Sequence, residues 1–243
     1  MSHALIVEAL RSPRGRGNDK GTLRNLKPVD LLAQQLQALA TRTSLQTSQV
    51  TDVLMGCVTQ TADQGANIAK LALIKAGWDD CVPGLSINRY CASGLSAVHM
   101  AAQEAMSCDS LAVGGGIEMM SRVPMASDKG PLTHDFEFQS QTGLIPIGIA
   151  ADVIATQEGF SRQLCDDYAL ASQQRAVAAR DRGHTRAMTE VHDRQALFCS
   201  HKMKHPEPTP ALILWLPSNL PLPLWQKNTA STSSCVTATV CPK

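Results

Sequence analysis

From Ala4 onward the chain alternates short apolar runs with longer amphipathic stretches. Ala4 to Ala9 reads as a strand. Pro28 to Ala40 reads as a helix whose Leu31, Leu32, Gln35, Leu36 and Leu39 form one stripe. Val53 to Val58 is again strand-like, Ala66 to Ala76 is helical, and Gly77 stands where a C′ glycine ends a helix. Leu85 to Asn88 alternates apolar and polar positions as a half-buried strand does. Leu95, Val98, Ala102 and Ala105 then recur at helical spacing, before a strand-like Ser110 to Val113. This β-α-β-α-β-α-β order over residues 1–120 predicts an α/β unit with a mainly parallel sheet flanked by helices. In such a unit the strand C-termini and helix N-termini share one rim, where ligands bind.

Cys91 falls on that rim, between the third strand and the third helix. A thiol at a helix N-terminus meets unsatisfied backbone N–H groups and the positive end of the macrodipole. Both favour the thiolate, which is the nucleophilic form. The competing reading is a small buried hydrophobe, the commonest state of a cysteine.

Two further regions follow. Residues 121–185 open on a stretch to Thr142 rich in Pro, Gly, Ser and Asp, which reads as surface loops. Helices are expected over Val153 to Phe160 and Cys165 to Arg182, the second ended by Gly183. Residues 186–243 differ in composition: all 16 glycines lie at or before Gly183, while seven of the 13 prolines follow Leu197. Proline at that density is expected to block both helix and central strand. A native low-complexity tail would ordinarily be polar, and Ala211 to Leu216 is not. A change of reading frame near residues 184 to 200 is the alternative, and the abrupt break favours it.

Composition narrows the function. A net charge of +1 gives no electrostatic case for nucleic acid or an anionic membrane. No apolar run is long enough to span a bilayer, and no targeting segment opens the chain, so a cytoplasmic protein is expected. The eight cysteines form no regular framework and are read as reduced thiols, with no metal site. His192, Cys199, His201 and His205 have only loose metal-ligand spacing and are read as accidental.

The wording around Cys91 adds a resemblance. Asn88-Arg89-Tyr90-Cys91-Ala92-Ser93-Gly94 closely resembles the nucleophile motif of the thiolase family. Ile6 to Gly15, Met55 to Gln60 with Gln64 to Ala69, and Val113 to Pro124 resemble further thiolase segments, in family order. The likeness runs from about residue 4 to about residue 183. It implies the N-terminal α/β half of a thiolase-like fold, with residues 121–185 as part of the loop domain that covers the CoA pocket. It implies acyl transfer: Cys91 attacks an acyl-CoA or 3-ketoacyl-CoA thioester, its own N–H serving as one oxyanion donor. Asn88 and Ser93 are expected to fix the turn and cap the helix. No cofactor is implied beyond CoA thioesters as substrates, and family members are homo-oligomers.

The same resemblance implies an activating histidine, a water-positioning asparagine and a second, glycine-flanked cysteine, and none of these motifs occurs in the 243 residues. His192, His201, His205, Cys235 and Cys241 lack the family wording. The expectation is therefore a thiolase-type acyltransferase that is truncated and inactive as it stands. The alternative is a non-catalytic fragment that binds a partner subunit.

Overall fold

The structure, a computed structural model, describes residues 3–193, 196–198 and 212–217. Its elements follow the expected alternation: β1 (Ala4–Leu10), α1 (Pro28–Thr43), β2 (Val50–Gly56), α2 (Ile68–Ala76), β3 (Gly84–Ile87), α3 (Ser93–Cys108) and β4 (Leu111–Gly116). Pro28 opens α1 at a position where its missing N–H costs nothing. Gly77, at φ 73°, closes α2 with its N–H on the carbonyls of Ile74 and Leu73.

β2 shows how the sequence sets the layers. Val53 and Met55 point into a core shared with Leu31, Leu32, Leu36 and Leu39 of α1 and Ala69, Ala72 and Leu73 of α2. Leu54, between them, joins a second core with Ala97, Ala101 and Ala105 of α3. The period of two along the strand thus puts α1 and α2 on one face and α3 on the other. The stripe expected for α3 is only partly the one it buries. Leu95 is 74% exposed, while Ser93, Ser96, Ala97, Ala101 and Ala105 face inward.

The reason lies in the sheet. A Cβ added at Gly56 would lie 2.4 Å from the Gly94 nitrogen, and one at Gly114 would lie 2.6 Å from the Val98 Cα. Only small side chains on the helix fit so close an approach.

The strand order is β1-β7-β4-β2-β3, where β7 is Leu212–Pro217. β3, β2 and β4 are parallel neighbours, as expected. β7 runs antiparallel to both β1 and β4, so the sheet is mixed, with β1 parallel to the others across the inserted strand. This corrects the expectation that the proline-rich tail forms no central strand. The one proline in β7 is its last residue, Pro217, which leaves the five residues from Leu212 to Leu216 able to donate to a ladder.

Residues just beyond 185 are docked on the same unit. The backbone N–H of Arg11 donates to Ala187 O and that of Thr189 to Arg11 O. The Gln34 side chain exchanges two hydrogen bonds with the His192 backbone, and Val191 is fully buried. A short hairpin of β5 (Val191–Asp193) and β6 (Ala196–Phe198) follows.

The segment read as loops from Ser121 to Thr142 contains two short helices, α4 (Pro131–His134) and α5 (Phe136–Thr142). Pro131 starts the first, and the Asp135 carboxylate caps the second by accepting from the Phe138 N–H. The polar residues that signalled loops are helix starts. α6 (Ile147–Gln157) and α7 (Arg162–Asp181) bury no residue. Ile147 and Tyr168 are 84% and 76% exposed. Among the described residues no helix is long and apolar enough to cross a membrane.

Gly114→Ala is expected to destabilise the fold by about 2 kcal/mol or more, because the added methyl meets backbone that cannot swing aside. Urea unfolding of the two chains checks this. An effect below about half a kcal/mol would mean that α3 lies further from the sheet.

Candidate functional site

The strand ends meet as the layers require. The Cys57 N–H donates to Ile87 O, and the Ile117 N–H donates to Gly56 O, both at 2.9 Å, extending the ladders past the strands. Asn88 then turns the chain. Its Oδ1 accepts from the Tyr90 N–H at 2.8 Å, and its Nδ2 donates to Val58 O at 3.1 Å. Tyr90 takes φ 47°, a left-handed conformation that a bulky residue adopts only when its surroundings dictate it.

Ser93 supplies part of that constraint. Its Oγ accepts from the Arg89 N–H at 2.8 Å and donates to Tyr90 O at 2.6 Å. The Ala92 and Ser93 N–H groups close onto the carbonyls of Arg89 and Tyr90. Asn88 and Ser93 fix the turn, as expected, but neither caps α3. The cap position is Ala92, with no side-chain bond.

Cys91 is therefore an exposed free thiol on a clamped turn, one residue before the cap of a 16-residue helix. Its exposure excludes the reading as a core hydrophobe.

A second polar cluster lies behind the turn, on residues that the sequence reading quoted without a role. Gln64 is completely buried. Its Nε2 donates to Glu118 Oε1 at 2.7 Å and Thr59 O at 3.0 Å, while its Oε1 accepts from the Met119 N–H at 2.6 Å. The other Glu118 oxygen accepts from the Val58 N–H at 2.8 Å. A long polar side chain just ahead of an apolar helix is a weak signal, and only the fold brings Gln64 and Glu118 together. Asn67 performs a similar task nearby: its Oδ1 caps α2 and accepts from Ser86, and its Nδ2 donates to Gly84 O.

Cys57, beside this cluster, is buried where Cys91 is exposed. Burial, with the charge of Glu118 adding to it, pushes its thiol up to about 12 from the ordinary 9.0. It stays protonated and inert near neutral pH.

A cavity of about 220 Å³ lies between the turn after β1 and the segment after β4, lined by Leu10, Arg14, Arg16, Gln35, Glu118 and Met119 among others. Cys91 does not line it, so it is a crevice beside the candidate site and not the site itself. Among the described residues no cluster of histidine, cysteine and carboxylate side chains could hold a metal. Cys199, His201, His205, Cys235 and Cys241 lie outside the described residues.

Two outcomes follow from the cluster. Gln64→Ala leaves the Met119 N–H and a Glu118 oxygen without their partner and is expected to cost about 3 kcal/mol in urea unfolding. The Cys57 thiol gives a pH signature. Unfolded, it deprotonates near pH 9.0; folded, near 12. Between these values the native state holds a proton that the unfolded state has lost, so stability falls as pH rises, by up to about 1.4 kcal/mol per unit. Cys57→Ala is expected to flatten that slope. An unchanged slope would show that Cys57 titrates alike in both states.

Comparison with known proteins bears on the whole arrangement. The family model described as thiolase, N-terminal domain, matches residues 4–204. A 3-ketoacyl-CoA thiolase of Cronobacter sakazakii is 35% identical over 194 residues, which cover 76% of this chain and 48% of the relative. One of Yersinia pestis is 34% identical over 192 residues with the same coverage. This chain spans about half the length of these curated relatives. The crystal structure of the Bacillus anthracis acetyl-CoA acetyltransferase superposes with a TM-score of 0.71 at 23% identity. That match covers 90% of this chain and 66% of the other, a likeness of fold. The family match runs some twenty residues beyond the resemblance read by eye and takes in the docked segment around Val191. With its layers, strand order and motif-bearing rim accounted for, the chain belongs to the thiolase family.

Proposed function

We propose that Cys91 is the acyl-accepting nucleophile of a thiolase-type acyltransferase acting on acyl-CoA. The observation that carries this reading is the placement of an exposed thiol on a turn held at both ends, immediately before an uncapped helix N-terminus. The Cys91 sulfur would attack the thioester carbon, forming an acyl-cysteine and releasing CoA as its thiolate. The oxygen that becomes negative needs N–H donors, and the Cys91 N–H at the start of α3 suits that role. The relatives, named 3-ketoacyl-CoA thiolases, support this substrate class.

The second half of the reaction needs more. Neither the family's histidine wording nor its glycine-flanked cysteine occurs in these 243 residues. A catalytic set that acts as a unit loses orders of magnitude when members are missing. The 243-residue chain alone is therefore read as competent for thiol modification and not for turnover. A cytoplasmic location and assembly with further subunits belong to the same reading.

A second reading is a non-catalytic fragment that binds a partner subunit, and the apolar side chains of Leu95 and Met100 on the outer face of α3 favour it. The two readings separate on Cys91 reactivity. Under limiting iodoacetamide near pH 7.5, peptide mapping is expected to show Cys91 alkylated at least about tenfold faster than the exposed Cys108 and Cys165. Equal rates would remove the nucleophile reading and leave the partner-binding one. Multiple-turnover thiolysis of a 3-ketoacyl-CoA by the purified chain would overturn the statement that it does not turn over.

A further inference from the structure

The Cys91 turn is not self-supporting. Asn88 holds it from one side, and the Asn88 side chain is itself held by the backbone of Val58. Asn88 Nδ2 donates to Val58 O at 3.1 Å, and the Val58 N–H donates to Glu118 Oε2 at 2.8 Å. Glu118 is fixed in turn by the buried Gln64, at 2.7 Å. A carboxylate, the backbone of residue 58 and an amide side chain thus form one line ending at the Tyr90 N–H, one residue before the thiol.

We propose that Glu118 is a positioning residue for Cys91, acting through Val58 and Asn88. The inference rests on the reading of Cys91 as the nucleophile. A hydrogen bond to a carboxylate is stronger than one between neutral groups. Accepting the Val58 N–H therefore fixes the backbone of residue 58 and with it the direction in which the Val58 carbonyl faces Asn88. Tyr90 has to be kept at a positive φ, and the line from Glu118 supplies the support on the side away from Ser93. Glu118 touches neither the thiol nor a substrate. What it sets is the place where the sulfur stands relative to the start of α3.

The test uses the full chain and two readouts. One is the rate of Cys91 alkylation, and the other is the rate of tryptic nicking at the exposed Arg89–Tyr90 bond, each normalised to exposed sites elsewhere. Asn88→Ala and Glu118→Ala are each expected to slow Cys91 alkylation by about fivefold, the equilibrium effect of one hydrogen bond. Nicking at Arg89 should rise by a similar factor.

Because both residues act along one line, the double variant should be no slower than the slower single variant. Multiplying effects, or a Glu118→Ala chain with unchanged Cys91 rate and unchanged nicking, would overturn the proposal. Protection of the buried Cys57 from the same reagent reports that the fold is intact. If Glu118→Ala exposes Cys57, Glu118→Asp carries the test, since it draws the carboxylate back from Val58 by one methylene. The nucleophile reading fails separately, when unaltered Cys91 reacts no faster than Cys108 and Cys165. In that case increased nicking in the Glu118 variants still upholds the link to the turn.

Discussion

The contact on which this structure turns is the approach of α3 to the sheet. Helices usually rest on a sheet through branched aliphatic side chains. Here Gly56 and Gly114 on β2 and β4 face Gly94, Ala97 and Val98 on the helix at backbone distance. The helix can then begin directly over the strand ends, so the turn that precedes it lies within reach of the residues that follow β2 and β4. Asn88 bonds Val58, and Ile117 bonds Gly56, between neighbouring strand ends directly beneath the start of that helix. The price is a helix face with little apolar area of its own, which leaves Leu95 and Met100 pointing away from this contact.

The two cysteines nearest the rim stand in opposite environments. Cys57 follows β2 and lies under Gln64 and Glu118, closed from water and opposed by a negative charge. Cys91 stands at the opening of a helix, in water. They stand thirty-four positions apart in the sequence. A reagent that arrives at this end of the sheet meets the exposed Cys91 and finds Cys57 closed off.

Much of this was legible in the sequence, and the reasons are specific. Periodicity located α1, β2 and α2, because each buries a stripe that its own pattern declares, and β1, because its residues form a short apolar run. The Cys91 turn was legible because Asn88 and Ser93 bond the backbone of the turn itself, though the long-range support from Val58 and Glu118 was not. The buried face of α3 was misread. Leucine and valine outweigh alanine in any hydrophobic pattern, whereas the glycines opposite admit only small residues. β7 was missed because proline was weighed across the whole tail, when what matters for a strand is whether proline falls inside the paired run. The Gln64–Glu118 bond joins residues fifty-four positions apart and has no local signature. Of the two helices expected in the second region, α7 falls close to its expected span, whereas α6 runs over Ile147–Gln157 in place of Val153 to Phe160, and neither buries a residue that could have declared its bounds.

The place of β7 has a consequence for how the molecule comes into being. β4, β2 and β3 are neighbours, and everything they need has been synthesised by Gly116. β1 is made before them, yet its partner in the sheet is β7, with Ala4 opposite Pro217. It must therefore wait, apolar and unpaired on that edge, until the chain through Pro217 has followed it. Closing so long a loop is an entropic cost met late, after the rest of the sheet is in place. In the interval the gap between β1 and β4 is an open strand site, and the order of synthesis makes this the interval in which association with other chains competes most strongly with folding.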